Sequence, residues 1–121
     1  MTLEDIMKFI DKHKSDKVFR GWDSTNVEHR AGIVKSFVSG YGFYATDSGG
    51  NITGVGIART EDNQKFFIEQ FIARNANARR SIIKQFFLRW PTAVIEGYER
   101  YGKLRTVSNS FKLSQLFYQQ N

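Results

Sequence analysis

Two adjacent arginines, Arg79 and Arg80, stand at the head of a helical pattern, one polar turn after a strand pattern that ends Phe71-Ile72-Ala73. A helix start leaves backbone N–H groups without intrahelical acceptors, its dipole favours anions, and two guanidinium forks add charge-assisted donors. That junction suits phosphate or pyrophosphate, from a nucleotide-like cofactor or a nucleic-acid backbone. The competing reading is that the arginines only solvate an exposed first turn, where acidic residues are the usual choice. Other chemistries find little material. The two histidines, His13 and His29, fall on surface-facing positions of helical patterns and have no second ligand nearby, so neither a zinc site nor a His triad is expected. Without any Cys, thiolate nucleophiles and disulfides are excluded. Gly54-Val55-Gly56 lies inside a strand pattern, where a bulge or close packing explains it better than nucleotide binding does.

Charge is concentrated where the arginines are. Residues 1–73 hold 9 Lys or Arg against 10 Asp or Glu, whereas residues 74–105 hold 8 against 2, so almost all of the net +6 sits on one stretch. Such a stretch acts as a local anion-binding surface if folding keeps its side chains together.

The elements that must position these residues follow from periodicity. The 121 residues, 40% hydrophobic and 25% charged, suit one soluble globular domain spanning 1–121. Thr2 to His13 reads as a capped amphipathic helix with Leu3, Ile6, Met7, Phe9 and Ile10 on one stripe. Asp23 or Ser24 can cap a second helix from about Thr25 to Val38, with Val27, Ala31, Val34 and Val38 as its apolar stripe. A two-residue period then predicts a hairpin, Gly42–Asp47 and Ile52–Arg59, turned at Ser48-Gly49-Gly50-Asn51. Lys65–Ala73 predicts a central strand buried on both faces. Ala78–Trp90 predicts a basic amphipathic helix closed by Pro91, followed by strands at Thr92–Tyr98 and Lys103–Ser108 and a last helix at Ser110–Gln119. The expected class is α+β, a mixed α/β sandwich with one mostly antiparallel five-stranded sheet and helices on both faces. The strands flanking the basic helix are placed to lie parallel. No apolar run is long enough to span a bilayer, and Glu4 and Asp5 stand where a secretory signal would be basic and apolar. Together with the missing Cys, this points to a cytoplasmic chain without a membrane partner.

This order of elements, with the segments FYATDSGGNITGVGIA and KFFIEQFIARNANARRSIIKQFF, resembles the GCN5-related N-acetyltransferases. The resemblance covers roughly residues 3–100, and the short length and loosened motif resemble the divergent members that bacteriophages encode. It implies acetyl-CoA or another acyl-CoA as cofactor, with the pantetheine arm on the backbone of Phe71, Ile72 and Ala73. The pyrophosphate would rest on the loop Arg74-Asn75-Ala76-Asn77-Ala78-Arg79, which keeps the family's leading Arg but has Asn77 and Arg79 where small residues are usual. Asn tolerates left-handed geometry and can replace Gly at Asn77. Arg79 either binds phosphate itself or occupies the volume that the cofactor needs.

For such a transferase the reaction is attack of an amine, on a protein or a small molecule, at a thioester. It needs a base for the amine proton and a donor for the thiolate. Glu69 is the candidate base, its carboxylate desolvated by Ile68 and Phe71, and Tyr98 is the candidate acid. The alternative is a non-catalytic protein of the same fold that binds nucleic acid or an acidic partner through residues 74–105, with interleaved aromatics available for stacking on bases.

Overall fold

Thr2 and Asp5 cap the first helix reciprocally: the Asp5 N–H donates to Thr2 Oγ1 at 3.2 Å and the Thr2 N–H to Asp5 Oδ2 at 3.1 Å. The Thr2 hydroxyl, donating to the same carboxylate at 2.8 Å, is the main reason the Asp5 carboxyl titrates below its ordinary range. The computed structural model describes residues 2–13, 25–98 and 104–108, and gives backbone alone for 69, 97, 98 and 104–108. The expected helix at Ser110–Gln119 lies outside these residues.

Helix α1 (Leu3–His13) and helix α2 (Val27–Val38) precede the sheet. The cap of α2 is Asn26, whose Oδ1 accepts from Glu28 N at 2.9 Å and His29 N at 3.1 Å, so the helix starts two residues later than the expected Thr25. The expected caps Asp23 and Ser24 lie outside the described residues. Strands β1 (Gly42–Thr46), β2 (Ile52–Thr60) and β3 (Lys65–Ala73) form an antiparallel meander. The first turn uses Gly50 at φ 82°, supplying the positive φ that its connection needs. Helix α3 (Ala76–Arg89) then carries the chain to β4 (Val94–Tyr98), parallel to β3, and β5 (Leu104–Ser108) returns antiparallel. The sheet order is β1-β2-β3-β4-β5, so the architecture is α+β with one mixed, mostly antiparallel sheet and helices on both faces.

Alternation along β2 divides the core. Val55 and Ile57 point to α1 and α2, where they join Ile6, Met7, Phe9, Ile10, Ile33 and Ile72. On the opposite face α3 sets Ala78 and Ile82 against Gly54 and Gly56, and Phe86 and Phe87 against Phe66, Ala58 and Ile95. Those two glycines are there for close packing: a Cβ on Gly56 would meet Ile82 Cγ2 at 2.8 Å, and one on Gly54 would meet Ile82 Cδ1 at 2.9 Å.

Two expectations are corrected. The stripe Val27, Ala31, Val34 and Val38 does not enter the core: Val27 is 79% exposed, Val34 38% and Val38 74%. Instead α2 turns Ile33 and Phe37 inward, because one large aliphatic and one aromatic side chain bury more area than the smaller residues beside them. Nor is β3 buried on both faces along its length. Because α1 and α2 lie over β1 and β2, Phe67 stays 39% exposed, with Arg59 and Lys65 each 5.8 Å from its ring centre.

Candidate functional site

The parallel pair β3–β4 is short. Lys65, Phe66 and Phe67 pair with Val94, Ile95 and Glu96, and the ladder stops there although β3 runs on to Ala73 and β4 to Tyr98. Beyond Phe67, no described strand bonds to the β4-facing edge of β3, and the two strands form a fork. An extended backbone with an unladdered edge is a ready partner for an extended ligand, since every second residue there turns both its N–H and its C=O to that side. A salt bridge of 3.0 Å from Lys65 Nζ to the largely buried Glu96 Oε1 pins the closed end.

A bulge sits just inside the fork. On the other edge of β3, Ile57 pairs with Gln70 and Ala58 with Ile68, leaving Glu69 as the extra residue. Bulges bend a strand and re-aim its groups, and they are frequent beside active sites. Glu69 and Tyr98, the residues expected to transfer protons, each lie two residues past the last β3–β4 pair, on the open side of the fork. The next side chain, Gln70, has a buried Oε1 with no hydrogen-bond partner.

At the open end, β3 hands over to α3. Helix α3 starts at Ala76, two residues before the expected Ala78, because Asn75 caps it: its Oδ1 accepts from Ala78 N at 2.8 Å. Arg79 N already donates to Asn75 O at 3.2 Å and belongs to the helix ladder. The first-turn donors left for an anion are the N–H groups of Ala76 and Asn77, and Arg79 offers a guanidinium rather than a backbone amide. Asn77 and Arg80 are exposed and Arg79 is half-buried. The first turn of α3 holds no acidic residue, so nothing within it opposes an anion.

Phe71, Ile72 and Ala73 serve the core with their side chains, Ile72 towards α1 and α2 and the other two towards α3, which leaves only their backbone for a ligand. Arg74 is exposed, and its N–H donates to Thr53 O at 2.9 Å. His13, expected on an open surface, is half-buried with its ring 4.6 Å from that of Phe9. Burial, with the charges of Arg74 and Lys12 behind it, pushes its pKa below the ordinary range. Arg74 also helps to hold the Asp47 carboxyl low, after the backbone bond from Asn51. The last residue of α1 is thus brought near the β3–α3 junction, which no local pattern signals.

Among the described residues of the basic stretch, Arg89 is directed away from the start of α3. Arg89 donates to Gly40 O at 2.6 Å and lies over Trp90 and Tyr41, which ties the end of α3 to the end of α2. Along the outer face of α3, Asn77, Arg80, Ser81, Lys84, Gln85 and Leu88 line a shallow groove of about 320 Å³. Gln85 anchors one wall by donating to Tyr44 O at 2.9 Å.

Fold and site together define a small α+β domain with a forked parallel strand pair and a basic helix start at the fork's open end. No family model, curated protein or solved structure matches the chain. Among the described residues no cluster of potential metal ligands occurs and no helix is long and apolar enough to cross a membrane.

Proposed function

We propose that the protein is an acyl-CoA-dependent N-acyltransferase that moves an acetyl group to an amine of a protein or small molecule. The observation that carries this reading is the parting of β3 and β4 after three paired residues, with the bulge at Glu69 inside the fork and the start of α3 beyond it. The unladdered edge of β3 from Ile68 to Ala73 would take the amides of the pantetheine arm. The N–H groups of Ala76 and Asn77, with Arg74, Arg79 and Arg80, would take the pyrophosphate. Acetyl-CoA supplies the activated thioester carbonyl. Glu69 accepts the proton that the attacking amine loses as the C–N bond forms, and Tyr98 donates one to the sulfur as the C–S bond breaks.

Thermal unfolding with acetyl-CoA and with free CoA tests the reading. A ligand at one hundred times its dissociation constant adds about 2.7 kcal/mol to stability. Stabilisation by both compounds is the expected result, weakened by charge reversal at Arg79 and Arg80, and no shift at millimolar cofactor overturns it.

The groove on α3 favours a second reading, a non-catalytic protein that binds nucleic acid or an acidic partner through Arg80 and Lys84. Phosphate contacts make such binding fall steeply with salt, so a mobility shift with DNA or RNA that is absent, or insensitive to salt, rejects the nucleic-acid form of it.

A further inference from the structure

The exposed stripe of α2 is arranged for a partner of a particular kind. Val27, Ala31, Val34 and Val38 are separated by steps of four, three and four residues, which is the spacing of a coiled-coil seam. All four face solvent. The seam is bordered unequally. On the side away from the sheet lie Glu28 and Lys35, both exposed, seven residues apart and of opposite charge. On the core side lie Arg30, held by Asp11 at 3.0 Å, and Phe37, packed against the core.

From this we infer that α2 pairs with the α2 of a second copy of the chain, antiparallel about a two-fold axis between Ala31 and Val34. An antiparallel two-fold brings Val27 against the partner's Val38 and Ala31 against the partner's Val34. It also sets Glu28 beside the partner's Lys35 twice over, so the charges are self-complementary. The parallel alternative would place Lys35 beside the partner's Arg30, a like-charge contact, and is disfavoured. The interface is small. Helix α2 has 12 residues, against roughly 20 or more a side in interfaces of standard size, so the dimer is weak and depends on concentration.

Sedimentation equilibrium over micromolar to millimolar chain tests this, with no need of any ligand. A reversible monomer–dimer equilibrium is expected, abolished by Val34→Asp. E28K and K35E alone each weaken it about tenfold, since two symmetric pairs of surface strength are turned repulsive. An equimolar mixture of E28K and K35E restores association, because the lysine introduced in one chain then meets the glutamate introduced in the other. All these positions are exposed, and unchanged circular-dichroism melts verify that the variants fold. A chain that stays monomeric at all concentrations, as it would if its own residues 14–24 or 109–121 covered the stripe, overturns the inference. So does a dimer indifferent to Val34→Asp, or a mixture that fails to associate.

Discussion

Helices α1 and α2 begin with the same device, a polar side chain accepting from first-turn amides, and both show apolar residues at helical spacing, yet they meet the sheet in opposite ways. In α1 the stripe and the buried face coincide: Ile6, Met7, Phe9 and Ile10 all enter the core. In α2 the most regular apolar stripe is turned outward, and the buried face rests on Ile33 with Phe37 partly buried beside it. The difference teaches that periodicity identifies a sticky face but not what it sticks to. Side-chain size decides which face a sheet can use best, and a regular row of small apolar residues remains for another surface.

The largest expected effect sharpens that contrast. Ile10 is fully buried, so Ile10→Ala should lower unfolding free energy by about 2–5 kcal/mol. Val38→Ala, on the exposed stripe, should stay within about 0.5 kcal/mol when urea unfolding is followed at concentrations where the chain is monomeric. Comparable losses at both positions would mean that the stripe of α2 is packed after all. On the other face of the sheet, Gly56→Val drives a branched side chain into Ile82 and Phe71, which already lie within 3.4 Å of a Cβ there. Overpacking of this kind should cost about 1–3 kcal/mol, read by the same unfolding experiment.

Smaller effects test the helix starts. Asn26→Ala and Asn75→Ala each remove a cap and should each cost about 1 kcal/mol in thermal melts. If Asn75→Ala instead raises stability, its side chain is not the acceptor for Ala78 N. The smallest effect is a pH dependence from His13. Its folded pKa lies below the unfolded value near 6.5, so the unfolded chain takes up the proton first. No penalty exists above that pH, and stability should decline as pH falls through it towards the folded value. NMR titration should find the His13 imidazole below the ordinary range and moving up in Arg74→Gln, since a neighbouring positive charge is removed. An unchanged titration would separate α1 from the β3–α3 junction.

Much of the fold was legible because its signals are local. The Thr2–Asp5 cap, the Gly50 turn and all five strands follow from neighbours in sequence, and β3 falls at its expected bounds. Boundaries slipped at the caps: Asn26 lies just beyond the expected Asp23 and Ser24, and Asn75 starts α3 two residues before the expected Ala78. At the site, Arg79 and Arg80 were legible near a helix start, whereas Asn75, which sets where that start falls, was read as part of the loop and not as a cap. The bulge at Glu69 and the approach of His13 to Arg74 leave no mark in the sequence, because both depend on which residues of distant segments come to lie opposite one another.

What the sequence determined by itself was the element order, the basic helix start after the aromatic strand, and the exclusion of cysteine chemistry. These depend on residue type and on periods of two or 3.6 residues, which act within a few turns of chain. Only the tertiary structure decided that β3 and β4 part after three residues, that Arg89 is tied to Gly40, and that the valines of α2 face outward. Register and facing are settled by the packing of segments far apart in the chain, where burial of one face competes with burial of another.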